Sequence, residues 1–371
     1  MLPAVRSRAY SLLTVLVALG LAASARADDV LAGVFIRGDT DSTTVISPKA
    51  ELTAGIIDDA TTVSAGYAAD IWSSASIDIR TAATAPVSEQ RDELTAGLAR
   101  EMTDVTLRGG YRFSHEADYV SHGGTLGVIQ RLAEGAATIE TGLSAAFDTV
   151  GRSGDEAFSR GLSTVGLRLA YTQILDPKTA LQIAYELMRR DGYQASPYRF
   201  VGLGGDGFCN GTAQLCVPES HPSIRWRNAW VLRARRALSD DWSAGLDYRF
   251  YIDDWGIASH TASAQAIWLP DEDSSFIARY RFYWQSEADF YQPTYEIPDA
   301  RFRYVTRDRE NSPMSTHRLV LAYERTFDLT AAGPATTATL AVGGTILDYR
   351  DFIGLDTVGA LDVSLALSVE L

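Results

Sequence analysis

The last eleven residues alternate without interruption. Leu361, Val363, Leu365, Leu367, Val369 and Leu371 occupy the odd positions, with Asp362, Ser364, Ala366, Ser368 and Glu370 between them. A period of two places each set on its own face of a strand, whereas a helix would repeat its faces every 3.6 residues. The same alternation recurs along the chain. Val105, Leu107, Tyr111 and Phe113 oppose Thr106, Arg108 and Arg112, and Val165, Leu167, Leu169 and Tyr171 oppose Thr164 and Arg168. Leu181, Ile183, Tyr185 and Leu187 oppose Gln182 and Glu186; Leu319, Leu321 and Tyr323 oppose Arg318 and Glu324. No strong helical periodicity competes with it. The alternating segments are also longer than the ~5–6 residues of an average soluble strand. Aromatic and aliphatic side chains taking turns with ionised ones suit a wall with hydrocarbon on one side and water on the other.

Charge and hydropathy exclude two other classes. The chain has 33 Lys+Arg against 47 Asp+Glu, a formal charge of −14. Residues 1–27 carry three arginines and no acid, so the rest carries 30 − 47 = −17. A nucleic-acid binder needs a basic surface to displace counterions, and none is expected here. Mean hydropathy is −0.05, and beyond residue 27 no apolar run approaches the ~20 residues of a spanning helix.

A strand wall in lipid must close on itself, because an open edge leaves backbone groups unpaired. The segments predict an all-β, closed antiparallel transmembrane β-barrel of about sixteen strands, with fourteen or eighteen allowed. At ~4.8 Å spacing and ~40° tilt, sixteen strands close to roughly 30 Å across, too wide for side chains alone to fill. Connections alternate. Short turns are predicted near Asp58–Thr61, Arg100–Asp104, Leu132–Gly135, Leu175–Lys178, Leu238–Asp241 and Pro270–Ser274. Longer polar stretches fall near 81–90, 114–122, 150–160, 191–223, 286–314 and 350–356. That asymmetry matches short periplasmic turns and long extracellular loops. The two longest loops, 191–223 and 286–314, are candidate plugs.

The first 27 residues read as an export signal: Arg6 and Arg8, an apolar stretch from Leu12 to Ala23, then small residues that favour cleavage after Ala27. Residues 28–371 form the barrel domain, destined for a Gram-negative outer membrane. Cys209 and Cys216, with six residues between them, are expected to form a local disulfide in that oxidising compartment.

Candidate chemistry is sparse. His115, Glu116, Asp118 and His122 cluster in one predicted loop and could ligate a metal, but they lack the helical His-Glu-x-x-His spacing, and a solvated loop is the simpler expectation. Ser259 adjoins His260 without a Gly-x-Ser-x-Gly elbow. Asp240-Asp241 and Asp253-Asp254 read as turn acids. No cofactor and no catalytic constellation is expected. Between 224 and 236, Arg225, Arg227, Arg233 and Arg235 alternate with Ile224, Trp226, Trp230 and Leu232; Arg279 and Arg281 alternate with Phe276, Tyr280, Phe282 and Trp284. Arginines at steps of two share a face, so these six are candidates for lining one lumen wall and attracting an anionic solute or polysaccharide. The alternative is that they pair with acids such as Asp247, Glu186 and Glu324 on neighbouring strands.

Three passages carry a resemblance: Asp70-Ile71-Trp72-Ser73-Ser74-Ala75-Ser76-Ile77-Asp78, Tyr111-Arg112-Phe113-Ser114-His115-Glu116-Ala117-Asp118-Tyr119 with its Ser-x-Glu-x-Asp-Tyr element, and Tyr280 to Tyr291. They resemble an uncharacterised family of proteobacterial outer-membrane β-barrels, catalogued as a domain of unknown function. The resemblance implies a barrel with no established activity, so no catalytic residue carries over. The C-terminal strand also resembles the insertion signal of such barrels, with Leu371 where most have an aromatic. The implied partners are outer-membrane lipid and the barrel-assembly machinery. The leading expectation for function is a porin-like channel or a solute or polymer translocation barrel. A structural or surface-interaction barrel with a plugged lumen is the alternative, and a rim-sited hydrolase the third.

Overall fold

The computed structural model describes residues 28–56, 58–74, 87–297, 303–328 and 333–371. Residues 1–27, with the expected export signal, lie outside them, as does most of the loop expected at 81–90. Sixteen strands close one antiparallel barrel. They are β1 (Asp29–Asp39), β2 (Thr43–Ile56), β3 (Asp58–Ser74), β4 (Val87–Glu101), β5 (Val105–His115), β6 (Tyr119–Leu132), β7 (Ala137–Val150), β8 (Arg160–Asp176) and β9 (Thr179–Gly192), then β12 (Ile224–Ala237), β13 (Trp242–Asp253), β14 (Ala258–Asp271), β15 (Ser274–Gln285), β16 (Met314–Asp328), β17 (Ala335–Tyr349) and β18 (Thr357–Glu370). Each pairs with its sequence neighbour, except that β9 meets β12. Between those two lies a separate hairpin of β10 (Phe200–Leu203) and β11 (Leu215–Pro218). The seam is β1 against β18, in register from Asp29↔Glu370 to Asp39↔Ala360. Closure therefore depends on the alternating C-terminal strand.

Register sorts the side chains by face. Leu361, Leu246, Ile183 and Leu126 are 60–71% exposed, and the odd residues of β18 share their face with Ile36 and Val342 through the pairs Ile36↔Val363 and Val342↔Val363. On the opposite face Arg318 donates to both Asp362 oxygens, at 2.6 and 2.9 Å. A contiguous exposed apolar surface of this extent has no stable place in water. Strands of 11–17 residues meet or exceed the ~9–11 needed to cross hydrocarbon at this kind of tilt. Replacing Leu365 by arginine in the middle of β18 is expected to lower stability in bilayers by about 2–4 kcal/mol, while Ser364→Arg on the inner face stays near neutral. Urea unfolding from lipid vesicles measures both.

At one end, where the chain enters β1 and leaves β18, the described turns are short, such as 102–104, 177–178 and 272–273. At the other end the lengths are mixed. Connections 151–159, 193–223, 286–313 and 350–356 are long, as expected. The long loop expected at 114–122 is not one: β5 reaches His115, β6 starts at Tyr119, and only 116–118 turn between them. The polar residues there are strand ends standing beyond the apolar belt, where alternation fades before the hydrogen-bond ladder does.

Candidate functional site

The barrel interior has two unlike walls. Across β4–β8 the inner positions mix glycines with charged side chains. Gly97, Gly110 and Gly166 lie on the face that also carries Glu93, Arg112 and Arg168, and a Cβ on Gly166 would come within 2.5 Å of Ser144 Oγ. The wall of β9 and β12–β15 is crowded with arginine instead. Arg225, Arg227, Arg233, Arg235, Arg279 and Arg281 all line one cavity of about 1200 Å³. With Arg190, Arg249 and Arg309 they make nine arginines, against four carboxylates at Glu186, Asp247, Asp308 and Glu310.

Strand register decides which arginines are neutralised. Arg233 pairs across to Asp247, with Nε 3.5 Å from its carboxylate, and Arg235 holds both Asp247 oxygens at 2.8 and 2.9 Å. Arg225 donates to Asp253 Oδ2 from Nε and Nη2, at 2.8 and 2.5 Å, and stacks 4.0 Å from the Trp255 ring centroid. Arg227, Arg279 and Arg281 have no carboxylate within ion-pair distance among the described residues. Arg279 donates instead to the neutral Gln265, at 3.0 and 2.6 Å. Of the acids expected to pair with the stripe, Asp247 does so. Glu186 instead accepts from Arg168 and Arg249, and Glu324 from Ser275 at 2.8 Å. The stripe is therefore half paired and half free.

Two loops roof this cavity, and neither is a simple surface loop. Loop 193–223 carries the β10–β11 hairpin, closed by the Cys209–Cys216 disulfide, whose Cα atoms lie 5.6 Å apart. Its Tyr198 donates to Asp118 on the β5–β6 turn. Loop 286–313 reaches the opposite rim, where Arg309 pairs with Asp41 at 3.0 Å and Tyr291 donates to the Asp351 carbonyl. Leu203↔Tyr295 and Ser220↔Val305 bridges join the two loops, and Val201, Tyr295 and Val305 bury a small apolar core between them. The result is a lid tied to both sides of the mouth.

Glu219 is the lid's latch. Its side chain is wholly buried. Oε1 accepts from Thr306 Oγ1 at 2.7 Å and the Arg307 amide at 2.9 Å. Oε2 accepts from the Ser196 amide at 3.1 Å and Arg199 at 3.2 Å. His221 Nε2 stands 3.4 Å from Oε1, an electrostatic rather than a hydrogen-bonded contact. Burial alone would push this carboxyl up, but His221, Arg199 and Thr306 outweigh it and hold it down to about 2, from 4.5. A depressed carboxyl contributes stability that is complete above its unfolded pKa and lost as pH falls through the folded one. Protection of the β10–β11 amides, measured against the intrinsic exchange rate at each pH, is therefore expected to hold at pH 7 and 5 and to fall between about 4.5 and 2. Glu219→Gln should flatten most of that pH dependence.

The remaining candidates are dispersed. His122 faces outward against Tyr111, while Glu116 and Asp118 join Glu89, their oxygens within 4.8 Å of one another. Burial, reinforced by Asp118 and opposed by Arg91, raises the Glu116 carboxyl. Ser259 points inward and is 3% exposed; His260 beside it points outward and bonds Tyr248. Asp253 and Asp254 cap a turn, accepting from the Trp255, Ile257 and Trp226 amides.

A family model described as "Protein of unknown function (DUF3570)" matches residues 35–331. No curated protein matches the chain. Among solved structures, a bacterial polysaccharide outer membrane secretin is similar with TM-score 0.54 at 9% identity, covering 94% of this chain and 99% of that one. The siderophore receptor PirA from Pseudomonas aeruginosa is similar at 0.47 and 12% identity, covering 90% of this chain, which spans 60% of the receptor's length. Pseudomonas aeruginosa OccD3 (OpdP) is similar at 0.46 and 10% identity, covering 93% and 91%. At such identities the likeness concerns fold alone, a porin-like barrel of the outer-membrane kind.

Proposed function

Because the chain belongs to the DUF3570 family, whose description assigns no activity, we propose a function from its geometry: an outer-membrane barrel that passes anionic solutes or an anionic polymer through a lidded lumen. Residues 1–27 are its export signal, cleaved near Ala27. The lid faces outward, and the short turns and both chain ends face the periplasm. Barrel-assembly machinery inserts it, closing β18 on β1. Its outer face meets outer-membrane lipid.

One observation carries the reading. Nine arginines against four carboxylates line a single cavity, in a chain whose formal charge is −14. Acids are abundant overall but scarce at this wall, and a ring or wall of arginine favours anions in a pore. Three of the charges keep no ionic partner among the described residues, so they remain available to a passing anion. Polysaccharide is one cargo of this class if it is acidic; the arginine wall motivates that choice, not the likeness to the secretin.

The lid favours a second reading, a surface barrel with a closed lumen that binds partners through its two loops. Planar bilayers separate the two. Purified wild-type protein is expected to give discrete conductance steps that dextran sulfate blocks from the short-turn side, while neutral dextran of equal size does not. A silent barrel favours the surface reading, and equal block by both polymers would count against an anionic cargo.

A further inference from the structure

Three outward-facing histidines repeat one local arrangement. Tyr111-Arg112-Phe113, Tyr248-Arg249-Phe250 and Tyr280-Arg281-Phe282 share a tripeptide. Each phenylalanine pairs in register with a histidine on the next strand: Phe113↔His122, Phe250↔His260 and Phe282↔His317. The tyrosine hydroxyl lies 2.8, 2.7 and 2.7 Å from the histidine Nδ1. The phenylalanine ring packs 5.1, 5.1 and 5.0 Å from the imidazole. All three histidines fall within four residues of the start of their strands at the lid end, which is the headgroup level if the barrel spans a membrane.

An apolar groove runs alongside His317. It has a volume of about 650 Å³, within the ~300–1,000 Å³ range of ligand pockets. Its walls include Tyr280, Leu319, Ile346 and Leu361. Register sets Gly344 opposite Leu319 and Leu361, and Gly359 opposite Ile346, so the floor lacks side chains where the rest of the belt is filled. The one carboxylate at its margin, Asp39, accepts from the Thr43 amide at 2.9 Å.

We propose that this site holds one phosphorylated, acylated membrane lipid, with its phosphate at His317 and its hydrocarbon in the groove. With the Tyr280 hydroxyl taken as the donor to Nδ1, the ring proton sits on Nε2 and the imidazole is an N–H donor. A charged phosphate oxygen is the strongest acceptor available there. The groove below, continuous with the lipid-facing belt, excludes water from the chains. The proposal rests on the membrane-spanning reading above.

The test is native mass spectrometry of barrels reconstituted into, and re-extracted from, vesicles of phosphatidylglycerol or of a diacyl glucosylglycerol with the same chains. Wild type is expected to retain one phosphatidylglycerol and to discriminate against the unphosphorylated lipid. His317→Phe keeps the ring and the belt but should lower phospholipid occupancy about tenfold, the scale of a hydrogen bond to a charged group. Gly344→Leu fills the groove and should lower occupancy of both lipids. Leu367→Phe, elsewhere on the belt, should change neither. Equal retention of the two lipids by wild type, or unchanged phospholipid occupancy in either of the first two variants, overturns the proposal. A barrel that inserts normally but retains no lipid refutes this site alone; one that fails to enter either vesicle refutes the membrane reading instead.

Discussion

Excising residues 196–219, with a short Gly-Ser link in their place, is expected to raise single-channel conductance about threefold, as a lumen of sixteen strands loses its roof. The excised segment contains the disulfide hairpin, Tyr198 and the Glu219 latch, so the lid loses both its anchor on the β5–β6 turn and its tie to loop 286–313. The barrel wall does not depend on it. β9 and β12 stay paired from Ile224↔Asp191 to Arg236↔Thr179, and the Gly192 amide still reaches the Ser223 carbonyl at 2.9 Å. Heat-modifiable gel mobility separates a lost lid from a lost barrel. Conductance unchanged in a folded deletion variant would mean that the lid does not obstruct the path.

Reversing the charges of Arg227, Arg279 and Arg281 together to glutamate is expected to invert ion preference. The anion-to-cation permeability ratio should fall by about tenfold or more, since a free unit charge a few ångströms from a permeating ion contributes ~1 kcal/mol or more even in wet surroundings. These three are chosen because no carboxylate neutralises them among the described residues. Replacing Arg235, held by both oxygens of Asp247, would instead remove one of that acid's two arginine partners. The triple lysine variant is the control: it keeps the point charges and loses only the planar fork, so anion preference should persist. A glutamate variant that selects like wild type would remove the arginine wall from the mechanism.

The wall was far more legible in the sequence than the lid. Alternation in 361–371 marks β18 and its two faces, because strand geometry couples neighbouring side chains directly to opposite environments. The arginine stripe is legible as a stripe for the same reason. Its half-paired state is not, because that depends on register between strands: Arg233 meets Asp247 only in the observed alignment of β12 with β13. The sequence marks loops 191–223 and 286–314 as candidate plugs, but not how they lock together. The lid's core joins Val201 to Tyr295 and Val305, and its latch joins Glu219 to Thr306, contacts between separate polar loops that no local period announces. His260 carries a signal in its strand position. Adjacent strand residues face opposite ways, so Ser259 and His260 could not form a dyad on one strand. The three Tyr-Arg-Phe tripeptides were equally visible, but their meaning required the histidine opposite each one.

The account stands on one partition, hydrocarbon outside the barrel and water within. Single cysteines along β18 read it directly, because Cys209 and Cys216 are the chain's only cysteines and are joined to each other. In reconstituted barrels, cysteine at 364, 366 or 368 should react with a water-soluble, membrane-impermeant maleimide, while cysteine at 363, 365 or 367 should react only with a lipid-soluble one. Labelling that ignores parity, or odd positions open to the water-soluble reagent, would contradict it.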